Sequence, residues 1–160
     1  MSTTRAVFTP ESAHFPAASF AALGLVNARP VLAFDAATSE AAYWTFIAPQ
    51  GLAGALSVVL SLIGNGAGTN PTYWRAQLEA ITSADATDLD AATSFDTANA
   101  GSIAMPTTQG HMVQLTITLT NADSIAAGDL VRLSIDRDAA NASDTFAADA
   151  YLLAVELREA

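Results

Sequence analysis

Five stretches of this chain alternate apolar and polar side chains with a period of two, and that rhythm restricts the fold more than any other feature. In residues 55–62, Leu56, Val58, Leu60 and Leu62 share one face and Ser57, Val59 and Ser61 the other. In residues 73–81, Trp74, Ala76, Leu78 and Ala80 alternate with Tyr73, Arg75, Gln77 and Glu79. Val113, Leu115, Ile117 and Leu119 alternate with Gln114, Thr116, Thr118 and Thr120. Val131, Leu133 and Ile135 do so with Arg132, Ser134 and Asp136, and Tyr151, Leu153, Val155 and Leu157 with Glu156 and Arg158. Successive side chains of a strand point to opposite faces, so this pattern predicts half-buried strands. Much of the 51% hydrophobic content is alanine, which invites a helical reading that the periodicity overrules.

Two more strands are expected, a short apolar one at residues 31–34 and one over residues 40–48 that sets Trp44 and Phe46 against Tyr43, Thr45 and Ile47. Turn chemistry separates them: Gly64-Asn65-Gly66-Ala67-Gly68 before Pro71, Asn121-Ala122-Asp123, and Ala127-Gly128-Asp129. Seven or eight short strands predict an all-β, antiparallel β-sandwich of jelly-roll type. Residues 31–160 would form that sandwich. Residues 1–30, with Phe8, Phe15, Phe20, Leu23 and Leu25 punctuated by three prolines, lack clean alternation. They read either as a first strand packed on the domain or as an extended arm whose aromatics dock on a neighbour; a short helix over residues 17–25 is also compatible with Pro16 at its first turn. Residues 83–109, holding Ile103 and Met105, read as one long loop. These two segments, with Phe8, Phe15, Phe20, Leu23, Leu25, Ile103 and Met105, are the expected interface, ahead of the strand faces.

Composition removes several function classes. There is no cysteine, hence no disulfide and no thiolate chemistry. Six arginines, no lysine and sixteen acids leave a net charge of −10, which speaks against a phosphate backbone or an acidic membrane surface as partner. The longest apolar stretch, residues 52–63, is too short for a spanning helix, and without an apolar run before Pro10 the first residues are not expected to act as a secretory signal.

Tests for chemistry also fail. No Gly-x-Ser-x-Gly elbow is present, and His14 and His111 could join a triad only by a spatial coincidence that the sequence does not support. Asp88/Asp90 and Asp136/Asp138, followed by Asp144 and Asp149, are carboxylates without a calcium-loop spacing, so no metal and no cofactor is expected. The glycine-rich 64–68 loop lacks the lysine of a phosphate cradle. Trp44, Trp74, Tyr43, Tyr73 and Tyr151 could form a sugar-stacking platform; for the two tryptophans, inward faces that fill the core are the favoured reading, while Tyr43 and Tyr73 fall on the opposite faces.

Tyr43-Trp44-Thr45-Phe46 running into Ala48-Pro49, then Tyr73-Trp74-Arg75, the acidic stretch 84–90, the 127–138 segment and Asp144-Thr145-Phe146 occur in an order that resembles jelly-roll structural proteins of tailed bacteriophages over residues 31–159. The resemblance implies a virion component, a capsid decoration protein, a head-fibre or spike base, or a tail accessory protein, made in the host cytoplasm; the failed tests for chemistry predict that it is not an enzyme. Its expected role is capsid decoration: a homo-oligomer, a trimer by capsid symmetry, bound to the major capsid protein or another virion protein. No functional residue set comes with it. The alternative is a carbohydrate-binding tail or head-fibre module that uses Tyr43 and Tyr73. A hydrolase on a sandwich scaffold rests only on the abundance of aspartate.

Overall fold

The alternating segments become strands of two antiparallel sheets in a computed structural model, which describes residues 2–91 and 94–160. The strands are β1 (Thr3–Phe8), β2 (Ala22–Val26), β3 (Arg29–Phe34), β4 (Glu40–Ile47), β5 (Leu56–Gly64), β6 (Pro71–Ile81), β7 (Asn99–Ala104), β8 (Val113–Thr118), β9 (Leu130–Arg137) and β10 (Ala150–Glu159). A six-stranded sheet runs β2-β3-β10-β5-β8, with β1 also paired to β10; the four-stranded sheet runs β4-β9-β6-β7. This is a jelly-roll-like β-sandwich, in which sequence neighbours mostly lie in different sheets or across a third strand.

The core is the sum of the inward positions. Leu32 and Phe34 of β3, Val58, Leu60 and Leu62 of β5, and Leu152, Val155 and Leu157 of β10 meet Trp44, Trp74, Ala76, Leu78, Leu133 and Ile135 of the facing sheet. Both tryptophans are buried, and Phe34 stacks edge-on against Trp74 at 4.8 Å between ring centroids. Burial of such large rings supplies the greatest apolar area per residue. Their indole N–H groups are satisfied: Trp44 Nε1 donates to the Thr9 carbonyl and Trp74 Nε1 to Thr72 Oγ1.

The first thirty residues are hydrogen-bonded into the sandwich through β1 along β10 and β2 along β3. No helix forms over residues 17–25; β2 occupies their second half and closes a tight hairpin through Asn27 and Ala28, both with positive φ (46° and 61°). That is the two-residue turn whose twist matches a right-twisted strand pair.

The 83–109 connection is not one loop. Its second half contains β7, the edge strand paired with β6 from Ala76↔Asn99 to Pro71↔Ala104. Alanine and glycine in this segment hide the alternation that would have signalled a strand. Asn99 anchors it: its amide donates to the carbonyls of Ala76 and Asn121, and its oxygen accepts from Thr120 Oγ1 and the Asn121 amide. Gly101 lets β7 come close to β8, for a Cβ there would stand 3.3 Å from Ile117 and Leu115. One side of the sandwich is thereby shut. Ala92 and Thr93, inside the same connection, lie outside the described residues, as does Met1.

Candidate functional site

Outward positions of the four-stranded sheet form rows that the register defines. Tyr43 of β4 lies beside Ser134 of β9, which lies beside Gln77 of β6. The next rows are Ala41, Asp136 and Arg75 on one side and Thr45, Arg132 and Glu79 on the other. Directly opposed residues share a face, so polar and aromatic groups from three strands converge on the outer side of this sheet, with Ser134, Asp136 and Glu79 themselves buried there.

Two flanking segments turn this surface into a cleft. Residues 13–21 run along the outer edge of β4, held by reciprocal backbone bonds between His14 and Tyr43 (2.9 Å each) and by the Ala41 amide donating to the Ser19 carbonyl at 2.9 Å. From the other side, the segment before β7 folds back over the sheet. The Asp96 amide donates to the Leu78 carbonyl (2.8 Å) and Gln77 Nε2 to the Asp96 carbonyl (3.1 Å), which fixes Phe95 above the strands. The Phe95 ring lies 5.4 Å from Tyr43, and the Arg132 guanidinium sits 4.3 Å from its centroid, ion-paired to Glu79 at 2.8 Å.

The resulting cleft, about 270 Å³, is lined by Ser39, Glu40, Tyr43, Arg75, Gln77, Phe95, Ser134 and Asp136, with Pro16, Ala18, Ser19 and Ala41 completing its rim. Arg75 is held in place by Asp136 (2.6 Å) and Asp138 (3.2 Å). Burial pushes the Asp136 carboxyl above its ordinary range, against the downward pull of the Arg75 hydrogen bond and charge. Burial also raises Glu40, while the Asp35 amide that it accepts works the other way. Beside the cleft, His14 Nε2 is 3.3 Å from Thr45 Oγ1, and its pKa is lowered by burial and then by Arg132, so the ring is neutral at pH 7. Beyond Arg132 the same face turns apolar, with Ile47, Ile81, Leu89 and Leu130 around hollows of about 300 and 230 Å³. Among the described residues no group of three or more His, Cys, Asp or Glu side chains is placed to hold a metal ion.

The expected site residues are dispersed. Phe8 and Met105 are core residues, 7% and 2% exposed, and present no surface; Phe8 packs on Phe46 at 4.8 Å. Ile103 is partly buried against the core. Phe15, Phe20, Leu23 and Leu25 are exposed, on and before β2. Tyr43 and Tyr73 are half-buried outward residues, but only Tyr43 lines the cleft; the Tyr73 amide is tied to Asp144 Oδ2 at 3.0 Å. The two segments expected to carry an interface each contribute to this cleft, through Pro16, Ala18, Ser19 and Phe95, while most of its polar groups stand on strands. Arg75, Gln77, Ser134 and Asp136 carried a parity signal in the sequence. Phe95 carried none.

No protein-family model matches the chain, and no curated protein matches it. Solved structures do. The xylan-binding domain CBM22-1 of Paenibacillus barcinonensis Xyn10C superposes with a TM-score of 0.51 at 11% identity, over 98% of this chain and 94% of that one. TmCBM27, a carbohydrate-binding module studied for specific mannan recognition, gives 0.50 at 11% identity over 100% and 99%. At such identity the likeness is one of fold, and it establishes for this chain the jelly-roll-like sandwich that those two modules share.

Proposed function

We propose that this chain is a non-catalytic carbohydrate-binding module that takes a glycan in the cleft on the outer face of its four-stranded sheet. The observation that carries the reading is the cleft itself. Two aromatic rings, Tyr43 and Phe95, stand beside a dense set of hydrogen-bonding side chains, Ser39, Glu40, Arg75, Gln77, Ser134 and Asp136. A sugar offers C–H faces that pack on aromatic rings and hydroxyls that both donate and accept, so it needs this mixture. Ion pairs and backbone bonds already hold Arg75 and Gln77 in position, which reduces the ordering cost of binding. Fold alone does not decide function, but a sandwich shared with a xylan-binding and a mannan-recognising module agrees with this reading.

The virion role implied by the turn-and-strand resemblance needs the same sandwich and gives the cleft no task. Its carbohydrate-binding alternative is therefore the reading adopted.

The test is affinity electrophoresis and calorimetry against soluble xylan, galactomannan, mixed-linkage glucan and galactan. At least one should retard the protein, and Phe95→Ala and Gln77→Ala should each weaken that binding by about 5- to 30-fold, roughly 1–2 kcal/mol. Circular dichroism of both variants should match the parent. No retention by any of the polysaccharides, or retention unaltered by both substitutions, would overturn the proposal.

A further inference from the structure

The side of the sandwich opposite the β7–β8 closure is open. There β2 ends the six-stranded sheet, and among the described residues no strand pairs with its outer edge, which leaves a row of backbone donors and acceptors. Leu23 pairs with Leu32, which is fully buried, and Leu25 with Pro30, so both leucines point to the core side of the sheet. Yet they are 54% and 72% exposed, because the facing sheet does not reach over them. Phe15 and Phe20, 5.8 Å apart, add exposed aromatic surface from the segment that leads into this strand. Residues 12–34 bring no carboxylate to the surface, in a chain whose net charge is −10.

We infer that β2 is the interface of a symmetric dimer, in which it pairs antiparallel with β2 of a second copy about a two-fold axis at Gly24. The partner is a second copy because the strand is its own complement. Ala22-Leu23-Gly24-Leu25-Val26 reads nearly the same in both directions, and an isologous interface requires one patch to fit itself. Pairing centred on Gly24 sets Leu23 against Leu25 of the other copy and Leu25 against its Leu23. Four leucines then gather on the core side, and the two glycines meet on the other face with no side chain between them. Two chains of charge −10 repel over most approaches, and a segment without carboxylates is where that repulsion is least. The inference is independent of the glycan reading.

Sedimentation velocity at tens of micromolar should give a species of twice the 16.4 kDa chain mass. Leu25→Glu, at an exposed position where the fold tolerates it, should weaken dimerisation at least about tenfold. The chain has no cysteine, so Gly24→Cys is a clean reporter, and a Cβ there meets nothing nearer than Val31 at 3.9 Å. Facing Cα atoms of an antiparallel pair lie about 4.5–5.5 Å apart, a span that a disulfide can bridge. Gly24→Cys should therefore cross-link on oxidation, while Ala37→Cys at an exposed turn should not. A monomer at all concentrations, a trimer mass, a dimer indifferent to Leu25→Glu, or equal cross-linking of the two cysteine variants would each overturn the inference.

Discussion

Arg137 is the side chain on which the end of the sandwich nearest β10's start depends. Fully buried, it donates to the carbonyls of Phe34, Phe146 and Ala148 and forms a two-point pair with Asp144 at 2.8–2.9 Å. One guanidinium so ties β3, β9 and the segment before β10. Removing one member of a buried pair leaves the other charged and unsolvated. Arg137→Met should therefore destabilise the fold by about 3–5 kcal/mol, read as a fall in the urea midpoint. Glu159 does a comparable task at the opposite end. It accepts the amides of Ala53 and Gly54 and pairs with Arg5, and those amides, then Arg5, hold its carboxyl below the usual range. A depressed carboxylate stabilises the fold above its unfolded pKa, and that stability is lost as pH falls through the folded value. Asp136 and Glu40, raised by burial, act in the opposite sense and favour the fold as they protonate. Glu159→Gln should consequently flatten the acid limb of the stability–pH curve below about pH 4.5. Urea melts of parent and variant between neutral and acid pH check this.

At the scale of elements, strand parity was legible in the sequence and strand partners were not. Alternation in residues 73–81 and 131–135 suffices to assign Arg75, Gln77, Ser134 and Asp136 to outward faces. That β9 lies between β4 and β6, bringing Tyr43, Ser134 and Gln77 into one row, is a matter of long-range pairing that local pattern cannot encode. β7 escaped detection because Asn99-Ala100-Gly101-Ser102 offers little hydrophobic contrast, and packing on β6 supplies what propensity lacks. The β2–β3 hairpin was hidden for another reason: its turn uses Ala28 where glycine is usual. An L-residue at positive φ carries a local steric cost that glycine avoids. Ala28→Gly should stabilise the protein by about 0.5–1 kcal/mol, net of the added freedom in the unfolded chain, and amide exchange across β2 and β3 should slow.

For the whole molecule, charge is the dominant collective term. Arg5, Arg75, Arg132, Arg137 and Arg158 are each ion-paired, but sixteen acids outnumber them. The unbalanced carboxylates repel one another in the compact state, and at 0.1 M salt that repulsion is screened beyond about 10 Å. Sodium chloride should raise the melting temperature at neutral pH, with about 2–4 °C for each ~1 kcal/mol of repulsion removed. Calorimetry at low and high salt measures the balance, since loss of the exposed ion pairs would lower it instead.

By itself the sequence determined the class of fold, because a period of two is a local property of the strand and five segments display it. It also set each tryptophan on the face opposite its neighbouring tyrosine, with burial in the core the favoured reading that the structure bears out, and it ruled out disulfide and thiolate chemistry. Tertiary structure decided which residues meet. It moved Phe8 and Met105 into the core, took Tyr73 away from Tyr43, and brought Phe95 over Tyr43 from about fifty residues away through two hydrogen bonds to β6. It also left Leu23 and Leu25 facing a core that does not extend to them. The physical reason is the same in each case: alternation assigns a side chain to a face of a strand, whereas what covers that face is settled by which distant strands pair and where their edges end.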